Sequence, residues 1–242
     1  MLQLYFSPMA CSLASRIALL EAGLDARYHQ VHLLTQQVVD DGSDFRGASP
    51  KGAVPVLVLE NGERLTECAA VLQYIADLKP ETGLAPQFGD PDRYRLQEWL
   101  SFIGTEIHKA FLFPTFWYKD DGSLAKPRAR IAQTLSVPSA HLAGREFLVG
   151  DSFTVADAHL TWALLLLRPA GVDVAQWPSL SAYLERMQAR PAVDDPVPDR
   201  QNARAVKAGT EPHGEGVERR TRVGHSSLQP LIVEDLPRAV PR

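Results

Sequence analysis

Cys11 is the residue of this chain best placed for nucleophilic chemistry. A short apolar strand predicted at residues 2–6 ends at Ser7-Pro8, where the chain must turn, and a helical pattern begins right after Cys11. Backbone N–H groups at a helix start have no intrahelical partners, so they favour a thiolate over a thiol. Ser12 could cap this helix or donate its hydroxyl to a nearby sulfur. The sequence also allows Cys11 to be a small buried apolar residue.

Residues 50–78 form a second stretch that could take part in binding or chemistry. Apolar β-formers at 54–59 precede Asn61-Gly62, a dipeptide that supplies two positive-φ positions for a tight hairpin turn. Pro55 has no N–H to give to a sheet and could be cis in a tight bend. We therefore expect the backbone groups of Val54 to be free to pair with another molecule. A purely structural strand, hairpin and helix would explain the stretch as well.

A polar stripe borders the apolar face of the helix that we predict after Asp90-Pro91. Three residues spaced four and three apart form it: Ser101, Thr105 and His108. In an α-helix these side chains lie along one line, with Glu106 and Lys109 beside them. The stripe is typical of a helix that walls a wet cleft, but a solvated surface has the same spacing.

Composition narrows the class of protein. The chain is 45% hydrophobic and 22% charged with a net charge of −4, so there is no electrostatic case for nucleic acid or an anionic membrane as partner. No apolar run approaches the ~20 residues of a membrane span, and the N-terminus lacks the pattern of a secretory signal. Two cysteines are too few for a disulfide framework, and no His/Cys cluster has metal-binding spacing. We expect a cytoplasmic protein without a metal, with both cysteines as thiols.

The order of elements predicts two domains. A strand, a helix, a strand at 28–33, an irregular loop and the hairpin with its helix give a four-stranded mixed sheet with helices packed on it. This is an α/β thioredoxin-like domain over residues 1–79. Residues 80–90 are rich in Pro and Gly and are predicted to be a linker. Residues 91–193 are predicted to form an all-α domain.

The second domain has a buried central helix and several proline interruptions. Thr154 and Asp157 have the spacing of a capping box, so we assign Asp157 a structural role, and the helix after them is apolar on nearly all sides. The aromatic stretch 111–118 contains Pro114 and is expected to be either core or the wall of an apolar pocket. Pro138 predicts a break or kink in the helix at 123–142.

The tail at residues 194–242 differs in character. It has no Phe, Tyr or Trp and no apolar period, and it is dense in Pro, Gly and charge, so we predict disorder and no site there. Its composition would suit a read-through or a shifted reading frame. Reading the encoding DNA in the other frames across codons 190–200 tests this hypothesis, because a shifted frame should reveal a more typical helix.

Four motifs together resemble the glutathione S-transferase family. They are YFSPMACS, PKGAVPVL, LTECAAVLQYIADL and GDSFTVADAHL, in the family's order and spacing. With TEIHKAF they are most similar to the bacterial beta class, over residues 1–193. The resemblance implies a thioredoxin-like domain, an all-α domain, glutathione as co-substrate and a homodimer.

The resemblance also implies roles for individual residues. Cys11 would face the glutathione sulfur with Ser12 beside it, and Val54, before a cis Pro55, would pair through its backbone with the cysteinyl unit. Glu67 would bind the γ-glutamyl ammonium group. The γ-glutamyl carboxylate would meet residue 68 at a helix N-terminus. From the second domain, the residues expected to reach the site are Ser101, Glu106, His108 and Lys109.

The chain departs from the family pattern at several positions. Cys68 stands where Ser or Gly is usual and is a weaker hydrogen-bond donor, so glutathione affinity could suffer unless Thr66 caps the helix. Phe6 replaces a common tyrosine, and Gln36 and Gln37 replace a basic pair that could meet the glycyl carboxylate. After Val193 the family's helical ending is absent.

Three functions agree with these observations. The first is conjugation of the glutathione thiolate to hydrophobic electrophiles, in a pocket that we predict to be lined by Met9, Phe111, Phe113, Trp117 and Trp162. The second is a glutaredoxin-type thiol–disulfide reductase with Cys11 as nucleophile. The third is a non-catalytic protein that binds glutathione or apolar ligands.

Overall fold

The computed structural model describes residues 1–117 and 121–194, with side chains from residue 126 onward in the second range. The predicted disorder of the tail concerns residues outside these ranges, apart from Asp194. Among the described helices, none combines the length and hydropathy that crossing a membrane requires.

A five-stranded mixed sheet forms the first half of the chain. Its strands are β1 Leu2–Phe6, β2 Ala26–His32, β3 Gln37–Val38, β4 Val56–Val58 and β5 Arg64–Thr66, in the order β3-β2-β1-β4-β5. Helix α1, Ser12–Glu21, connects β1 to its parallel neighbour β2, and the other pairs are antiparallel. The predicted four strands are present. The fifth strand, β3, lies in the loop that we predicted to be irregular. The sequence does not reveal it, because two residues are too few to show a period.

The β4–β5 hairpin differs in detail from the prediction. Gly62 has a φ of 86°, but Asn61 is not in the left-handed region. Instead, the Asn61 side chain accepts a hydrogen bond from the Glu63 N–H at 3.0 Å, and Gly62 N–H donates to the Leu59 carbonyl at 3.0 Å. Two positive-φ residues were therefore the wrong expectation, because the asparagine stabilises the turn through its side chain.

Two apolar cores lie on the two faces of this sheet. Leu4, Leu57 and Ile17 belong to the larger core, which continues into the helical half and takes in Val71 and Ile75 of helix α2, Cys68–Leu78. The smaller core consists of Val31, Val38, Phe45, Ala48, Val54 and Val56. Because its side chain is buried in this smaller core, Val54 is held in a fixed position before β4.

The second half of the chain is helical. Its elements are α3 Pro91–Phe102, a π-helix Ile103–Leu112, α4 Phe113–Trp117, α5 Asp121–His141, α6 Val155–Leu165, α7 Pro178–Gln188 and α8 Pro191–Asp194; short 3₁₀ turns are Phe45–Gly47, Pro80–Thr82 and Val174–Gln176. Helix α6 is the predicted buried centre. The Asp157 carboxylate accepts hydrogen bonds from the N–H groups of Thr154 and Leu148 and from the Tyr183 hydroxyl, all at 2.9 Å. Its structural role is confirmed.

The prolines interrupt the helices less than predicted. Pro127 and Pro138 both lie inside α5, which continues to His141. The break expected at Pro138 is wrong, because Ile131, Leu135 and Leu142 are buried on either side of it and packing holds the helix together, while the alternative of a kink stays a prediction. Just before Pro114 the π-helix continues directly into the α-helix α4, so the helical conformation does not end there.

Buried contacts join the helical half to the sheet half. Arg93 of α3 is 2% exposed and donates to both carboxylate oxygens of Asp77 in α2 at 2.8 Å. Arg190 makes a second bidentate pair with Glu21 of α1, at 2.7 and 2.8 Å. The segment expected to be a linker is itself anchored, since Leu84 is buried and accepts a hydrogen bond from Val155. These contacts hold the C-terminal ends of α1 and α2 against the helical half.

Candidate active site

Cys11 lies at the N-cap of α1, at the end of a tight loop after β1. Met9 in this loop has a φ of 63°, and Ala10 N–H donates to the Ser7 carbonyl at 3.1 Å. Cys11 is 7% exposed, and its thiol donates to the Val54 carbonyl at 3.3 Å. Ser12 is fully buried, and its hydroxyl accepts from the Ser7 N–H and donates to the Ser7 carbonyl, so it fastens the loop and contacts neither a helix N–H nor a sulfur.

The second cysteine of the chain packs directly against the first. Cys68 begins α2, and its sulfur lies 3.4 Å from the backbone carbonyl oxygen of Cys11. A hydrogen bond from the Cys68 thiol lowers the pKa of Cys11, and the Lys109 ammonium lowers it further against the opposing effect of burial. The same hydrogen bond, together with burial, raises the pKa of Cys68 well above its ordinary value. Cys11 is therefore the thiol that ionises first.

The backbone before β4 faces this pair. The Val54–Pro55 peptide bond is cis, as expected, and Pro55 is buried. The Val54 carbonyl accepts a hydrogen bond from the Cys11 thiol, while the Val54 N–H has no partner in the described part of the chain. The predicted availability of the Val54 backbone thus holds for its N–H, and its carbonyl is shared with Cys11.

A carboxylate and a cation lie at the start of α2. Glu67 occupies the N-cap with a φ of 69°, and its exposed carboxylate accepts from Lys51 at 2.7 Å. Lys51 also donates to the Thr66 hydroxyl at 3.0 Å. Thr66 is therefore engaged by Lys51. Sequence analysis missed Lys51, although it lies in the PKGAVPVL motif four residues before Pro55.

The π-helix contributes His108 and Lys109. The charge of Lys109 lowers the pKa of Cys11, and its Nζ lies 4.6 Å from the centre of the Phe113 ring. His108 is half-buried with its ring 4.8 Å from that of Trp162, whose indole N–H donates to the Met9 carbonyl at 3.0 Å. Burial, with the charge of Lys109, lowers the pKa of His108 to about 4. This imidazole is neutral at pH 7.

The other members of the polar stripe and the neighbouring Glu106 have partners other than the two thiols. Ser101 and Thr105 are exposed, and the Thr105 hydroxyl donates to the Ser101 carbonyl at 3.0 Å. Glu106 pairs with Arg130 of α5. The single line of side chains was predicted for an α-helix, but the wider π-helix places His108 inward and Thr105 outward. Contacts with glutathione from Ser101 and Glu106 remain predictions without geometric support.

The predicted apolar pocket divides into two groups. Phe111 and Trp162 are each 1% exposed and belong to the core. Met9 and Trp117 are 43% and 45% exposed, and Phe113 stacks on Trp117 with the ring centres 5.4 Å apart. Only this second group can line a surface open to an incoming molecule.

One further cavity and one buried histidine lie away from these residues. A cavity of about 500 Å³ between α3 and α5 is lined by residues such as Trp99, Phe102 and His141, and by none of the predicted site residues. His159 of α6 is buried, neither of its ring nitrogens has a hydrogen-bond partner among the described residues, and burial lowers its pKa to about 3. No sequence signal distinguished His159 from its apolar neighbours in GDSFTVADAHL.

The cluster can activate a thiol. Several reactive groups lie where the helices α1 and α2 begin. They are the sulfurs of Cys11 and Cys68, the unpaired Val54 N–H before the cis proline, and the Lys51 ammonium with the Glu67 carboxylate. Within residues 1–117 and 121–194, no group of three or more His, Cys, Asp or Glu side chains could hold a metal ion. The groups that are present suit sulfur chemistry and anion binding at the helix starts.

Comparison with known proteins identifies the family. Residues 8–78 match the family model for the glutathione S-transferase N-terminal domain, and residues 103–191 match that for the C-terminal domain. A glutathione S-transferase of Escherichia coli O157:H7 is 36% identical over 196 residues, which cover 80% of this chain and 96% of the relative. The chain belongs to the glutathione S-transferase family.

Solved structures of the family have the same fold. A sphingomonad glutathione S-transferase complexed with glutathione is 40% identical, with a TM-score of 0.74 over 85% of this chain and 98% of the other. The bacterial beta-class enzyme of Sphingomonas chungbukensis is 38% identical, with a TM-score of 0.75 and the same coverage. The predicted glutathione S-transferase fold and the resemblance to the bacterial beta class are both confirmed.

Proposed function

We propose that this protein conjugates the thiolate of glutathione to hydrophobic electrophiles. The observation that carries the proposal is the placement of Cys11, the Val54 N–H and Glu67 around one surface at the starts of α1 and α2. A tripeptide thiol that binds there has a partner for its sulfur, its backbone and its ammonium end.

The Val54 N–H and the start of α2 would hold the peptide. The unpaired Val54 N–H can donate to the cysteinyl carbonyl of glutathione, and the first N–H groups of α2 have no acceptor within the helix. A γ-glutamyl carboxylate at Cys68 would accept from them and gain from the helix dipole. The γ-glutamyl ammonium would bind Glu67 and compete there with Lys51, 2.7 Å away.

Lys109 is the group that favours an ionised sulfur. Its charge acts on Cys11 and would act in the same sense on a glutathione thiol bound next to Cys11. His108 is neutral at pH 7 and half-buried, so its role is to donate or accept one hydrogen bond, not to supply charge. The conjugated electrophile would contact exposed apolar side chains, namely Met9 or the stacked Phe113–Trp117 pair.

Cys11 is the nucleophile in disulfide reduction but not in conjugation. In conjugation the attacking sulfur belongs to glutathione, so Cys11→Ala should keep a measurable rate with a chlorodinitrobenzene-type substrate. In a Cys68→Ser background, which has no second thiol to displace the adduct, Cys11→Ala should also abolish mixed-disulfide formation with oxidised glutathione, seen by intact mass. Equal loss of both activities would instead favour the glutaredoxin-type reductase. Retention on immobilised glutathione without turnover would favour a binding protein.

We also propose a homodimer in the cytoplasm, as the beta-class resemblance implies. Light scattering on the full chain tests the first part, with a mass of twice 26.7 kDa as the expected result. A monomer at micromolar concentration would contradict it.

A further inference from the structure

The two cysteines of this chain meet at the glutathione S-transferase site. Cys68 lies at the first position of α2 with its sulfur 3.4 Å from the Cys11 carbonyl oxygen, and both cysteines are free thiols. Cys11 is 7% exposed, and Cys68 is half-buried as a residue. A serine at position 68, which the family pattern favours, could not take part in sulfur exchange.

We propose that Cys11 and Cys68 form a dithiol pair that reduces low-molecular-weight disulfides, with Cys11 as the attacking thiol and Cys68 as the resolving thiol. This goes beyond conjugation and also beyond a reductase that uses Cys11 alone.

The reaction balances in two exchanges. The Cys11 thiolate attacks a disulfide R–S–S–R, forms Cys11–S–S–R and releases one thiolate, which takes up a proton. The Cys68 sulfur then loses its proton to solvent and attacks Cys11 Sγ, so that the bond to R–S breaks and a second R–SH leaves. The protein dithiol is oxidised by two electrons to a Cys11–Cys68 disulfide, and the substrate is reduced to two thiols.

The surroundings fix the order of attack. The Cys68 thiol and the Lys109 ammonium lower the pKa of Cys11, while the Glu67 carboxylate raises the pKa of both thiols and does not distinguish them. The hydrogen bond to Cys11 is the largest cause of the raised pKa of Cys68, and the Cys11 charge adds to it. A mixed disulfide on Cys11 removes that charge, so the first exchange makes Cys68 easier to ionise for the second.

Regeneration of the dithiol rests on the proposed function. Two molecules of glutathione would reduce the Cys11–Cys68 disulfide and leave as glutathione disulfide. The oxidative half can be tested without glutathione, so its failure is distinguishable from failure of the proposed glutathione site.

The test treats the full chain with a small excess of 2-hydroxyethyl disulfide, blocks remaining thiols with iodoacetamide and measures intact mass. Wild type should lose two hydrogen atoms and carry neither adduct nor carbamidomethyl group. Cys68→Ser should trap one hydroxyethylthio group on Cys11. Because an intramolecular attack is strongly favoured, the adduct yield in wild type should be on the order of tenfold lower than in this variant.

Two results would overturn the proposal. One is a wild-type protein that keeps the adduct in the same yield as Cys68→Ser. The other is a Cys11→Ser variant whose Cys68 reacts as fast as wild type, since that would make Cys68 the attacking thiol. Cys68→Ala provides a second variant of the resolving position and should trap the adduct like Cys68→Ser.

Discussion

Individual side chains at the starts of α1 and α2 provide the chemistry of this site. Cys11, Cys68 and Glu67 occupy three helix-start positions, where unpaired N–H groups and dipoles favour negative charge. The burial of Cys11 opposes its ionisation, and Lys109 and the Cys68 thiol offset that cost. The result is one thiol that ionises readily and one that resists ionisation.

Glu67→Gln should weaken glutathione binding about fivefold, which is about 1 kcal/mol. The Glu67 carboxylate is exposed, so screening limits the value of its pair with the peptide ammonium. Titration calorimetry measures the change. The control is Glu63→Gln, an exposed glutamate on the β4–β5 hairpin away from the thiols, which should bind as wild type does. Equal weakening in both variants would contradict a role for Glu67.

His159 should make stability depend on pH. Burial lowers its pKa from 6.5 to about 3, so below pH 6.5 the unfolded chain binds a proton that the folded chain does not. Stability is complete above pH 6.5 and falls as the pH drops, with a loss of about 2 kcal/mol from this residue at pH 5. His159→Phe keeps the ring next to Trp162 and should reduce the fall in urea unfolding midpoint between pH 7 and pH 5, leaving the part that His108, with a pKa of about 4, contributes. An unchanged pH dependence would show that His159 is not the cause.

Among the features of this molecule, the strands and helices were the ones that the sequence predicted best. The strand and helix periods predicted the sheet, α1, α2 and the capping box of α6, because each depends on residues close together in the chain. The strand β3 was missed because it is two residues long. The π-helix was missed because Ile103, Ile107 and Phe111, four apart, fit an α-helical face almost as well.

Contacts between elements could not be read from the sequence. Cys11 and Cys68 are 57 residues apart, and their contact exists only because α1 and α2 pack side by side. The pairing of Lys51 with Glu67 depends in the same way on how the loop before β4 approaches the start of α2. Glu106 was assigned to the site from its place in the sequence, yet its partner Arg130 comes from α5.

The start of α2 should bind glutathione better with a serine at position 68. A hydroxyl is a stronger donor to a carboxylate than a thiol, so Cys68→Ser should tighten glutathione binding a few-fold. Cys68→Ala removes the donor and is the matched comparison. Calorimetry should rank Ser tightest, and an order with Ala tighter than Ser would exclude side-chain donation at this position.

At the scale of the whole molecule, the two halves are held together by two partly buried, bidentate ion pairs, Arg93–Asp77 and Arg190–Glu21. Arg93 is 2% exposed and bidentate to Asp77, whose side chain is 35% exposed, so solvent partly compensates that carboxylate in Arg93→Met and the variant should lose about 2 kcal/mol of unfolding free energy. The control is Arg95→Met, whose exposed pair with Glu98 should be worth less than about 1 kcal/mol. Urea unfolding measures both. Similar losses in the two variants would contradict a structural role for the Arg93–Asp77 pair.

The most direct measurement of the central claim is a calorimetric titration of the full chain with reduced glutathione up to millimolar concentration. We expect saturable heat with one site per chain, and a weaker response in Glu67→Gln. A titration without heat, for both the reduced and the oxidised tripeptide, would contradict the proposed glutathione site.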